Sequence, residues 1–148
     1  MVEKVHIEGL SELKTALREL PDATAKNVLR RIMKKRGEPI AEHARQLVPV
    51  DQGDLRDSIS VGTRLSKTQR RQHRKDGPDD VEMFIGPGPH PQAHLQEFGT
   101  QHHPAQPFMR PAWDAERMGV LEGLKDDLWT EIEKAAARLA RKAARFKG

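Results

Sequence analysis

The spacing of apolar residues changes several times along this chain, and each change marks an element. Val2, Val5 and Ile7 ahead of Gly9 read as a brief first strand. From Ser11, an N-cap residue type, Leu13, Leu17 and Leu20 recur at helical spacing until Pro21, which predicts a short amphipathic helix. A second helical pattern starts near Ala23, with Val28 and Ile32 on one face and Lys26, Arg30 and Lys34 elsewhere. Gly37 and Pro39 predict a kink or break in it. Helical spacing resumes through Ile40, Ala44 and Leu47 and ends at Val48, because a residue before proline is biased out of the helical region. One bent helix or two short ones would satisfy this stretch.

The period then falls to two. Pro49-Val50-Asp51-Gln52-Gly53-Asp54 is a turn by composition, and Leu55, Ile59 and Val61 alternating with Arg56, Ser58 and Ser60 predict a half-buried strand. Val81 to Ile85 is a second alternating run, so the pair reads as a hairpin with a basic tip at about 64–80. Gln96 to Ala112 has almost no period: its seventeen residues hold a Gly turn, three prolines and two aromatics. That composition predicts a shaped loop, the first candidate for a functional surface. Last, Leu121, Leu124, Leu128, Ile132, Ala136, Leu139, Ala143 and Phe146 step by three or four, predicting a long helix packed across the sheet. Its final third carries Arg138, Arg141, Lys142, Arg145 and Lys147 with no acid, which suits the negative end of the helix dipole. The expected class is α+β in one domain, 1–148. A small antiparallel sheet of two to four strands packs against N-terminal helices and a long C-terminal amphipathic helix.

Composition narrows the chemistry. With 36% hydrophobic and 4% aromatic residues among 148, the core is modest and mostly aliphatic. The net charge of +4 suits an anionic partner but equally ordinary solubility. No cysteine is present, which excludes disulfides, thiolate nucleophiles and sulfur-ligated zinc. The chain shows no apolar signal core and no window near the roughly 18 apolar residues of a membrane span, so it is expected in the cytoplasm or in a particle assembled there.

Enzymatic readings find little support. His90, His94, His102 and His103 fall within fourteen residues, but Pro89 and Pro91 flank His90 and speak against a regular helix there, and only Glu97 lies near as a supporting carboxylate. They read as polar loop histidines rather than metal ligands. Asp51, Asp54 and Asp57 read as turn and strand-start residues rather than a two-metal site. Ser58 and Ser60 lack nucleophile-elbow glycines, and no phosphate-binding glycine loop is present. No cofactor is expected. Arg64, Lys67, Arg70, Arg71, Arg74 and Lys75 form an acid-free run that could neutralise DNA phosphates, without interleaved aromatics for base stacking.

Three motifs in order, Pro49-Val50-Asp51-Gln52-Gly53-Asp54-Leu55-Arg56-Asp57-Ser58-Ile59, Ala93-His94-Leu95-Gln96-Glu97-Phe98-Gly99-Thr100 and Pro104-Ala105-Gln106-Pro107-Phe108-Met109-Arg110-Pro111-Ala112, resemble the gene-product-ten-like family of long-tailed phages. The opening Val5-His6-Ile7-Glu8-Gly9-Leu10 fits as well. Gln52 stands where the family often has Thr, and Gln92 where it often has an aromatic. The resemblance implies a non-enzymatic virion protein of the neck or head-proximal tail, a homo-oligomeric ring of six that joins head to tail, leaves a DNA channel and assembles in the host cytoplasm. Its neighbours would be connector and tail-tube proteins.

On that expectation the contact loop comprises Glu97, Phe98, Gly99, Thr100, Pro104, Pro107, Phe108, Arg110 and Pro111, with Phe98, Phe108 and Trp113 as apolar anchors. The alternative for Phe108 and Trp113 is that they plug the domain's own core. The turn motif is Asp51, Gly53, Leu55, Arg56 and Ser58, and the residues that could face DNA are the six cations from Arg64 to Lys75. The competing function is a small cytoplasmic protein that binds DNA without sequence preference. A His-dependent metal hydrolase fits worse, since it leaves the loop and turn motifs unexplained.

Overall fold

The computed structural model describes residues 10–49, 53–73 and 81–147. Two antiparallel helices form its spine. α2 (Asp22–Leu47) and α6 (Met109–Lys147) lie side by side, and α1 (Leu10–Arg18) packs on their far end. Their direction is visible in the cross-links, where Arg31 meets Glu131, Arg36 meets Asp127 and His43 meets Glu116. As one partner number rises the other falls, as antiparallel helices require.

The apolar face of the spine divides into two clusters. Val28 and Ile32 of α2 meet Leu128, Ile132 and Ala135 of α6 under Leu13 and Leu20. At the other end Ile40, Ala41, Ala44 and Val48 meet Ala112 and Val120, joined by Leu55, Ile59, Val61 and Phe108. Between the clusters Arg36 Nε donates to Asp127 Oδ2 at 2.6 Å. A Cβ at Gly123 would fall on the Arg36 guanidinium, so that glycine leaves room for the cross-link.

Chiefly through its hydrogen bond to Arg36, and against the opposing effect of burial, the Asp127 carboxyl is held below the usual carboxylate range. A depressed folded-state value means the bridge contributes stability above the unfolded aspartate value of about 3.9 and loses it as pH falls through the folded value. Melting midpoints of the wild type and Asp127→Asn should therefore differ near neutral pH and converge as the pH falls through the depressed folded-state value. A gap that persists unchanged to low pH would contradict the bridge.

β1 (Ser60–Gly62) and β2 (Phe84–Gly86) pair antiparallel, with Ser60 opposite Gly86, Val61 opposite Ile85 and Gly62 opposite Phe84. This two-stranded sheet, the one found among the described residues, rests on α2 at Gly37. A Cβ there would lie 2.9 Å from Val61 Cγ1 and 3.1 Å from Ile85 Cδ1. Gly37→Ala should thus lose stability by about 1 kcal/mol despite alanine's better helix propensity, because overpacking outweighs it. Gly119→Ala in α6, with open space around its Cβ, should gain roughly 0.5–1 kcal/mol. Urea titration of the two variants checks both signs.

Several expectations need correction. Of the two alternatives for the second helical stretch, one helix forms rather than two short ones: α2 continues through Pro39, the burial of Gly37, Ile40, Ala41 and Ala44 around it holding the helix together. Leu55–Ser58 is not strand but the helical turn α3 (Asp54–Ser58). Leu55 and Ile59 are four apart, which suits a helical face as well as an alternating strand. α6 starts at Met109 rather than near Leu121, and its main partner is α2, not the sheet. The basic tip contains a helix, α4 (Lys67–Gln72), closed by a capping box in which the Ser66 side chain accepts from Gln69 N and the Gln69 side chain accepts from Ser66 N. The first strand expected over Val2–Ile7 lies outside the described residues.

Candidate assembly surface

The expected loop is shorter than its motif and more tightly built. α5 (Pro91–Phe98) takes its first part and α6 its last, leaving Gly99 to Phe108 as the connection. The prolines around His90 do not prevent α5. Pro91 occupies the first turn, where a missing N–H costs nothing, and His90 is the residue before it.

Glu97 joins the two helices. Its Oε2 accepts from Phe108 N at 2.8 Å and Met109 N at 3.0 Å, and its Oε1 from Arg110 N at 3.0 Å. These are donors that the first turn of a helix leaves without intrahelical partners, and a carboxylate there also meets the positive end of the dipole. Sequence reading placed Glu97 in the contact loop and missed the cap. The signal was present: Phe108, directly before α6, has no side chain able to cap it, so the acceptor had to come from elsewhere.

Backbone bonds shape the rest of the loop. Gln106 N donates to Gln96 O at 2.7 Å, and Thr100 N to His103 O at 2.9 Å. Thr100 Oγ1 accepts from His102 N at 3.2 Å and His103 N at 3.0 Å. Gly99 stands at φ 76°, ψ 179°, where a Cβ would lie 2.7 Å from Ala105 N. A side chain there would collide with the loop's own return path.

The aromatic residues divide. Phe108 is 1% exposed and belongs to the core, so it drops out as a contact anchor. Phe98 is 70% exposed and Trp113 42%. The His94 ring lies 4.9 Å from that of Phe98. Pro104 and Pro107 are exposed on the loop, and Pro111 lies half-buried in the first turn of α6. Arg110 is held on its own helix by Asp114 at 3.2 Å.

The turn motif packs beside this loop. Gly53, at φ 85°, ψ −8°, adopts the left-handed conformation that starts α3, and Ser58 Oγ donates to Leu55 O at 2.7 Å. Arg56 pairs with Asp57, and Arg45 of α2 donates to Ile59 O through Nε at 3.1 Å and Nη2 at 2.6 Å. A cleft of about 290 Å³ separates Gly53, Asp54 and Arg56 from Gln92 and Gln96 of α5. Two motifs forty residues apart are thus neighbours on one surface. Asp51 lies outside the described residues.

Of the basic residues, Arg64, Lys67, Arg70 and Arg71 are exposed on the hairpin and α4, while Arg74 and Lys75 lie outside the described residues. Arg64 faces a groove of about 1050 Å³ whose other wall is α2, with Arg30, Arg31 and Lys34. Arg30 and Lys34 were read only as the polar side of a helix. Among the described residues no three His, Asp or Glu side chains are grouped to hold a metal ion, and no helix is long and apolar enough to cross a membrane.

A family model described as "Bacteriophage HK97-gp10, putative tail-component" matches residues 11–99, from α1 to the glycine that ends α5. No curated protein and no solved structure matches. The match spans the spine helix α2, the Gly53 turn, the hairpin and the Glu97-Phe98-Gly99 corner, more than half of the sequence, and on it the chain belongs to the HK97-gp10-like family of phage tail components.

Proposed function

We propose that this tail component is a non-enzymatic ring protein, a hexamer at the head–tail joint or the head-proximal end of the tail, that leaves a channel for DNA. The observation that carries the reading is the Glu97-braced loop. Its shape is set before any partner arrives, which lowers the ordering cost of association, and it leaves Phe98 and Trp113 exposed as apolar anchors. In a ring each contact joins one surface to a different surface of the neighbour, and closure depends on the rotation between them. A braced corner holds such a rotation better than a loose loop.

The test is mass by light scattering across protein concentration, alone and with purified tails lacking this protein. A closed ring, or a monomer that joins those tails, supports the reading. A monomer that ignores tails under all conditions rejects it. The cationic groove, lined by no Asp or Glu among the described residues, favours a second reading, a small DNA-binding protein acting alone, which predicts tight, salt-sensitive binding of duplex by the free monomer.

A further inference from the structure

The groove between α2 and the hairpin holds three cations, Arg30, Lys34 and Arg64, that form no ion pair with a described carboxylate. Arg31 is taken by Glu131, but Arg30, Lys34 and Arg64 have no carboxylate partner among the described residues; no described Asp or Glu lines this groove, and Glu82, on the adjoining cleft that Arg30 and Arg64 also line, is hydrogen-bonded to His73. Arg30 and Lys34 sit one helical turn apart, where like charges repel, so the arrangement costs the helix something with no gain inside the domain.

A second observation concerns shape. Gly62 and Gly86, one on each strand, both line this groove, and among the described residues neither has an atom within 4 Å of where a Cβ would stand. Neither has a backbone angle that requires glycine. Glycine in a strand often marks a site where a ligand or another backbone approaches closely. The floor is therefore open where the walls are cationic.

We propose that this groove seats the sugar-phosphate backbone of duplex DNA, which makes the α2–hairpin face the side turned toward the channel. The inference rests on the channel reading above and adds which face lines it. Arg30, Lys34 and Arg64 neutralise phosphates, and Gly62 and Gly86 let the strand lie close. The contacts read no bases, so binding is independent of sequence.

The experiment measures binding of a 30-base-pair mixed-sequence duplex across salt concentration, together with light scattering of the same samples. Arg30→Gln, Lys34→Gln and Arg64→Gln combined should flatten the slope of log affinity against log salt by about 2.7, at roughly 0.9 for each phosphate no longer neutralised. Arg141→Gln, Lys142→Gln and Arg145→Gln combined, on the exposed end of α6, remove the same charge and should leave most of the slope. Gly62→Val with Gly86→Val should weaken binding at every salt concentration while keeping the net charge, and β-branched residues there should not harm the strands. Equal losses in both charge variants, or glycine variants that bind like wild type, would overturn the inference. So would polyglutamate competing as well as duplex at matched ionic strength, since that identifies an acidic polypeptide as the occupant. Rings that persist while the groove variants retain full DNA binding defeat this inference alone, whereas absence of rings and of tail joining in the wild type defeats the underlying reading.

Discussion

Gly99→Ala will destabilise the domain by about 2–4 kcal/mol, combining backbone strain with a steric collision. At φ 76° and ψ 179° Gly99 occupies a region that is essentially reserved for glycine. The added Cβ would stand 2.7 Å from Ala105 N and 3.0 Å from His103 O, and both are backbone atoms that cannot rotate aside. Relief requires the loop to move, which pulls on Gln106 N···Gln96 O and on the Glu97 cap. For a chain of this size roughly 2–4 °C of melting temperature follows each kcal/mol, so a fall of roughly 4–16 °C is expected. A variant melting within about 1 °C of wild type would show that the corner is not built this way. Gly53, in the left-handed region that asparagine tolerates, should accept Gly53→Asn far more easily.

Glu97→Ala should cost about 2 kcal/mol, since it removes charge-assisted bonds to three backbone donors at the head of α6. Water can reach part of that helix end, which keeps the loss below that of three fully buried donors. Hydrogen exchange gives the sharper readout. The amides of Phe108, Met109 and Arg110 should lose protection while those of α2 near Val28 keep theirs. Uniform change across the domain would mean Glu97 acts through global stability rather than as a cap. Glu97→Gln retains acceptor capacity on one oxygen only and should fall between the two.

Both substitutions also probe the proposed role. Each disturbs the relation of α5 to α6 while leaving the exposed anchors Phe98 and Trp113 in the sequence. If the loop's preset shape matters for assembly, folded Glu97→Ala protein below its melting point will join tails less efficiently than wild type. Equal joining would move the contact surface elsewhere on the domain.

How far these features were legible in the sequence differs from residue to residue. α1 and the two spine helices follow from apolar spacing at Leu13, Val28, Ile32, Leu128 and Ile132, all buried where that spacing put them. The hairpin pairing follows from two short alternating runs, although each strand is only three residues long. Errors fell where one pattern satisfies two structures. Leu55 and Ile59 suited both a strand and a helical turn, and the turn formed because Gly53 starts it and Ser58 and Arg45 hold its carbonyls. Proline was read against helix at Pro91 and Pro39, and as a loop residue at Pro111. Pro91 and Pro111 stand in first turns, where no N–H is needed, and Pro39 lies in a helix held by burial on either side.

By itself the sequence determined the α+β class, the order of most elements, the motifs that place the chain among phage tail components, and the absence of thiol chemistry. These depend on local spacing and composition, which one chain read in order contains. Only the tertiary structure decided that Glu97 caps α6, that Phe108 belongs to the core, that the Gly53 turn lies beside α5, and that Arg30 and Lys34 share a groove with Arg64. Each of these is a meeting of residues distant in sequence. The packing of α2 against α6 and of the hairpin against α2 creates them, and no periodicity in either partner records the other.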